Sequence, residues 1–93
     1  MKAGSNLEQI LESGKFAVTA ELGPPKGTSQ AAVQKKAELL RGACDAINIT
    51  DNQTAITRMS SLACCILLKQ MGLEPVMQMV CRDRNRIAMQ SDI

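Results

Sequence analysis

The sequence contains no histidine, no tryptophan and no tyrosine, and its one aromatic residue is Phe16. Without an imidazole, the chain alone cannot build a Ser-His-Asp or Cys-His nucleophile, an HExxH metal site or a histidine proton shuttle. Any acid–base step therefore falls to a carboxylate, a lysine or a cysteine. A single phenylalanine offers no platform on which nucleic-acid bases could stack. An excess of one charge is missing too. The 11 Lys and Arg against 9 Asp and Glu leave a formal +2, too slight to call for nucleic acid or an anionic membrane as partner. No run of about eighteen apolar residues is present, so no membrane span is expected. The opening segment MKAGSNLEQILESG mixes charge with apolar residues and has no signal-peptide h-region, which leads us to expect a cytoplasmic protein.

Cysteine is present but not in a metal-binding pattern. Cys44, Cys64, Cys65 and Cys81 form no CxxC, and an adjacent pair cannot place both thiolates on one ion in the usual finger geometry. No metal site is expected. Leu62, Ala63, Ile66 and Leu67 surround the pair, a setting in which reduced cysteine packs as a small hydrophobe. All four are expected in the core. With 45% hydrophobic and 22% charged residues over 93 positions, the chain has the composition of one small packed domain, or of a piece of a larger one.

The punctuation of the chain defines its elements. Ser5 followed by Glu8 is a capping box for a first helix carrying Leu7, Ile10 and Leu11, with Gly14 as its stop. Phe16 to Leu22 reads as a strand ended by Gly23-Pro24-Pro25. Thr28 or Ser29 caps a helix to Arg41, with Val33, Ala37 and Leu40 on one stripe and Gly42 after it. Ala46 to Thr50 is a second strand, and Thr54 to about Met71 a long apolar-rich helix with Met59, Leu62, Cys65 and Ile66 at core spacing. Pro75 to Cys81 is a third strand, and Asp83 caps a last helix entering at Arg84.

One helix followed by three strand–helix units of roughly thirty residues each is the rhythm of βαβ repeats and of a parallel sheet. Parallel strands need cover on both faces, and a closed eight-stranded barrel takes about 250 residues. The expectation is therefore an α/β chain forming the N-terminal segment, about three strand–helix units, of a (β/α)8 TIM barrel. Residues 1–93 would be one fragment of a single domain, the rest of the barrel lying elsewhere.

Strand parity points to a site. Phe16, Val18, Ala20 and Leu22 share one face of the first strand; Ala17, Thr19 and Glu21 share the other. Ile47 and Ile49 oppose Asn48 and Thr50 in the second strand, and Met77, Met79 and Cys81 oppose Val76, Gln78 and Val80 in the third. Each strand thus has one apolar face and one that turns polar towards its C-terminal end. Glu21, Thr50 and Gln78 would converge at that end, where barrel active sites gather. A carboxylate in the middle of a parallel sheet is costly unless solvated or used. The segment Gly23 to Thr28 lacks the GxxxxGK[ST] spacing of a phosphate loop, and its prolines remove the donors such a nest needs, so it reads as a rigid turn framing Glu21. Arg82, Arg84 and Arg86 read as a solvated helix start with Asp83 as cap and partner, rather than as an anion site.

Three segments carry a family resemblance: Thr-Ala-Glu-Leu-Gly-Pro-Pro at 19–25, Asn-Ile-Thr-Asp-Asn-Gln at 48–53 and Glu-Pro-Val-Met-Gln-Met-Val-Cys-Arg-Asp at 74–83. At these spacings the chain resembles, over essentially its whole length, the N-terminal part of the methylenetetrahydrofolate reductase family. That resemblance implies a flavin-holding (β/α)8 barrel, an oxidoreductase of one-carbon and methionine metabolism that reduces 5,10-methylenetetrahydrofolate to 5-methyltetrahydrofolate. It implies a flavin, FAD ahead of FMN, with NAD(P)H or an equivalent electron donor, and a folate substrate. By the same resemblance Glu21 is the general acid that protonates the pterin-side amine as the bridging methylene opens to an iminium. This task requires a carboxyl still protonated near neutral pH, and burial acts in that direction. Thr50 matches a flavin-contacting threonine. Gln78 stands where better-known members carry histidine; its amide hydrogen-bonds without titrating.

Two rivals remain. A pterin-binding methyltransferase barrel would share the fold without flavin. A non-enzymatic truncated or oligomerising fragment would bury its open strand edges against copies of itself or against the missing part of the barrel. On either reading of the barrel, the 93-residue chain alone is expected to be associating and inactive.

Overall fold

The computed structural model describes residues 2–93. It places a parallel three-stranded sheet under two long helices, with a shorter helix at each end. The elements in order are α1 (Asn6–Glu12), β1 (Thr19–Leu22), α2 (Gln30–Leu40), β2 (Ala46–Ile49), α3 (Ser61–Gln70), β3 (Pro75–Met77) and α4 (Arg86–Asp92), with a single 3-10 turn at Gln53–Ala55. The strands lie in the order β1-β2-β3. Both pairings are parallel, with Leu22 opposite Ile49 and Ile49 opposite Met77. This is the expected α/β alternation. The part shown is a three-strand parallel unit, not a closed barrel.

One face of this sheet makes the core. Leu22, Ile47 and Ile49 pack with Val33 and Ala37 of α2 and with Cys64, Cys65 and Leu68 of α3. The α2 stripe is the one its spacing predicts. In α3 the buried set is Ser61, Cys64, Cys65 and Leu68, a run of i, i+3, i+4 and i+7 that turns one side of the helix onto the strands. Ile66 faces solvent instead, which corrects its expected core position.

Hydroxyl and amide caps set the helix starts. The side chains of Ser5, Ser29, Ser60 and Asn85 each accept an N–H three residues on, as such caps do. Glu8 completes no reciprocal box with Ser5: its carboxylate accepts from the Ala3 N–H. The expected Asp83 cap is also displaced. Asp83 is bound to Arg82, and Asn85 starts α4 two residues later.

The expected long helix from Thr54 begins only at Ser61. Asn52, Thr54 and Ala55 all adopt positive φ (45°, 60° and 58°), which breaks helical propagation before the Ser60 cap restarts it. β1 and β3 are shorter than expected at their outer ends. Phe16 and Val18 are exposed, and ladder pairing ends at Met77. Cys81 is exposed while Cys64 and Cys65 are buried and Cys44 half-buried, so three of the cysteines pack and the fourth does not. No helix among the described residues is long and apolar enough to cross a membrane.

Candidate functional site

The second face of the sheet carries the polar residues. Glu21, Asn48 and Val76 form one row across the three strands. Opposite-facing Leu22, Ile49 and Met77 form the next row, turned to the helices. One residue further, Thr50 and Gln78 extend the ladder: the Thr50 N–H donates to Leu22 C=O at 3.4 Å, and the Gln78 N–H to Ile49 C=O at 3.1 Å. Alternation therefore sets Glu21, Thr50 and Gln78 on the same side, at the C-terminal end of the strands.

Their environments differ. Thr50 is 6% exposed, and its hydroxyl has no hydrogen-bond partner. A buried hydroxyl is normally satisfied, and an orphan calls for an explanation. Gly23 borders it. A Cβ built on Gly23 would stand 3.8 Å from Thr50 Oγ1 and 3.7 Å from Gln53 Oε1, so Gly23 and Gln53 close over the hydroxyl. Gln78 is half-buried, and its carbonyl accepts from Ser61 Oγ at 2.7 Å. The first turn of α3 thereby fixes the end of β3.

Glu21 is exposed, against the expectation of a covered carboxyl. Its neighbour Asn48 uses its amide to donate to Ala20 C=O at 3.2 Å. No closed pocket forms on this face among the described residues.

Just past Thr50 lies a group that strand parity could not find. The Asp51 side chain is 0% exposed. It accepts from Arg84 through both oxygens, at 2.9 and 3.2 Å, and from the Val80 N–H at 3.1 Å. The Arg84 hydrogen bonds, assisted by the Val80 N–H and by the charges of Arg84 and Arg82, hold the Asp51 carboxyl below the usual carboxylate range against the opposing effect of burial. Arg84 also bonds Asp92 at 2.6 Å, and Arg82 donates to Asn52 C=O at 2.8 Å. The arginines at the start of α4 are thus fastened to β2 and its loop. This corrects the picture of a solvated first turn with Asp83 alone as partner. The only signal in the sequence was the acidic residue directly after a strand, facing an arginine-rich segment after the next.

Comparison with protein families places residues 6–93 under the profile described as "Methylenetetrahydrofolate reductase". Comparison with curated proteins and with solved structures returns no significant match.

Proposed function

The chain belongs to the methylenetetrahydrofolate reductase family, and from that premise we propose that the open polar face of its sheet is part of a flavin- and folate-binding site. Membership makes it an oxidoreductase-family domain directed at a folate. The finer reading, reduction of 5,10-methylenetetrahydrofolate to 5-methyltetrahydrofolate, is supported above all by the orphaned Thr50 hydroxyl.

The residues present fit a flavin. Thr50 offers a buried hydroxyl with no competing partner, the exposed Gln53 side chain beside it at Gly23 is the group that would move aside, and Gln78 brings a half-buried amide to the same side. Thr50 and Gln78 would hold the ring system, which when bound supplies the hydride. FAD is the expected form and NAD(P)H the expected donor.

What the chain contributes to the chemistry is a proton. Glu21 sits on the same face one ladder row below the Leu22 row, so its carboxyl reaches a folate resting over that end of the sheet. It holds a proton and delivers it to the amine nitrogen of the folate as the C–N bond of the methylene bridge opens. A roof over Glu21 would exclude water from the proton transfer.

That roof is not made by the described residues, on which Thr19 and Glu21 lie open. β1 and β3 each have one unpaired edge within the sheet, and unpaired parallel edges favour association. We therefore place this chain as one fragment of a (β/α)8 barrel domain whose remaining strand–helix units, or further copies of the chain, cover the face.

The test is a titration of the chain with FAD, read by flavin fluorescence and repeated with FMN. Wild type binds FAD, and Thr50→Val binds at least about tenfold more weakly, the loss of roughly one hydrogen bond. In the assembled enzyme Glu21→Gln stops methylenetetrahydrofolate reduction while leaving FAD affinity intact. Equal FAD affinity for wild type and Thr50→Val, or full turnover by the Glu21→Gln enzyme, sinks the assignment.

A further inference from the structure

Three consecutive carbonyls follow β1, at Gly23, Pro24 and Pro25, and each is held by a different donor. Lys36 Nζ of α2 donates to Gly23 C=O at 3.3 Å. Arg58 Nη1 donates to Pro24 C=O at 3.2 Å. The Met59 N–H donates to Pro25 C=O at 2.7 Å. The two prolines have no N–H and a fixed φ, so at both of them the turn is fastened through carbonyls. Pro24 is fully buried, and Met59 packs against the core.

Arg58 is itself held in place. Its backbone N–H donates to Asn52 Oδ1 at 2.9 Å, and Asn52 C=O is in turn the acceptor for Arg82. Between them the chain passes through left-handed φ values at Asn52, Thr54 and Ala55. Strained non-glycine backbone persists only where its surroundings over-determine it. Here the detour carries Arg58 back across the sheet end onto the turn that follows Glu21. At this end of the β1–β2 ladder the Thr50 N–H to Leu22 C=O bond is 3.4 Å long.

We propose that Arg58 is a positioning residue for Glu21: by gripping Pro24 it fixes the last turn of β1 against the β2–α3 loop and so sets where the acid stands relative to Thr50. The proposal rests on the reading of Glu21 as proton donor. It assigns Arg58 no contact with substrate. The guanidinium acts through the backbone at Pro24, the residue directly after the Gly23 that borders the Thr50 hydroxyl and shortly after the acid itself.

The test uses the full chain with isotope labels, comparing wild type, Arg58→Met, Arg58→Lys and the control Arg86→Met, whose arginine side chain hydrogen-bonds Gln90 on its own helix. Amide exchange of Met59 reports the grip, and the χ1 averaging of Glu21, read from side-chain couplings, reports the position of the acid. In Arg58→Met the Met59 amide exchanges at least about tenfold faster, and Glu21 moves from one dominant rotamer to an average. Arg58→Lys, which keeps a donor for Pro24, restores most of both, and Arg86→Met changes neither. A general loss of stability would speed exchange in β2 as well, without rescue by lysine, and would overturn the proposal. Should Arg58→Met fail to fold, Arg58→Lys is compared with Lys36→Met, which must loosen Gly23 without changing the Met59 amide. Unchanged Met59 exchange and an unchanged Glu21 rotamer in Arg58→Met overturn the proposal. Full turnover of Glu21→Gln in the assembled enzyme would instead overturn the role of the acid and leave the grip on the turn standing.

Discussion

Replacing Asp51 by alanine should cost more than any other single change at the sheet end. The side chain is 0% exposed and accepts from Arg84 Nε and Nη2 and from the Val80 N–H. Its removal leaves Arg84, itself 17% exposed, with Asp92 alone, and leaves the Val80 N–H without its acceptor. Breaking a buried ion pair from one side costs about 3–5 kcal/mol, because the surviving charge stays buried and uncompensated. A chain of this size has on the order of 5–15 kcal/mol in all. Asp51→Ala should therefore lower the urea midpoint by a large fraction, with the slope of the transition preserved. Asp51→Asn keeps the shape and one acceptor and should lose about 1–3 kcal/mol. The pH dependence follows from the lowered Asp51 titration. Its stabilisation is fully present above the unfolded carboxyl value of about 4 and fades as pH falls towards the lower folded value. Wild type should thus lose stability below about pH 4 more steeply than Asp51→Asn. The assay is urea unfolding followed by circular dichroism across that range. An Asp51→Ala midpoint indistinguishable from wild type at neutral pH would refute the reasoning.

Other outcomes follow from the same structure. Thr50→Val removes a buried hydroxyl that has no partner, so the ligand-free chain should be as stable as wild type or about 1 kcal/mol more stable, even as its flavin affinity falls. Thermal melts with and without FAD would separate the two effects. Thiol labelling should find Cys81 reactive at once, and Cys64 and Cys65 only as fast as the chain unfolds, since burial pushes the Cys65 thiol up to about 11. Asn85→Ala removes the cap of α4 and should cost about 0.5–2 kcal/mol, seen as lost helical signal and faster exchange at Ala88. Phe16, Leu39 and Ile87 are exposed on a unit with unpaired strand edges, so light scattering should find the isolated chain associated; a dilute monomer at all concentrations would count against this.

Strand–helix alternation was readable because the turns have strong local chemistry: Gly-Pro-Pro after β1, a serine cap before α2 and Gly42 after it; the Ser60 cap of α3 went unread. Parity alone put Glu21, Thr50 and Gln78 on one face, since a two-residue period leaves no other choice once Leu22 and Ile49 are in the core. The boundaries were harder. Thr54 and Ala55 have no local reason to leave the helical region; their left-handed backbone comes with the tertiary bonds of Asn52 and Arg58. Asp51 was unreadable for a related reason. Its partners lie 29 and 33 residues away, and nothing local distinguishes a buried paired aspartate from a solvated one at a strand end. Cys81 failed as a core residue because β3 ends at Met77: Gln78 still makes a ladder bond to Ile49, but the Val80 N–H turns to the Asp51 carboxylate, and alternation does not carry on to Cys81.

The most direct measurement is a titration of the labelled chain with FAD, following every backbone amide by NMR. The shifts should concentrate at Glu21, Gly23, Thr50 and Gln78, on the polar side and C-terminal end of the sheet, with the exposed faces of α2 and α3 unchanged. Shifts centred on those helices, or none at these four residues at saturating flavin, would contradict the placement of the site.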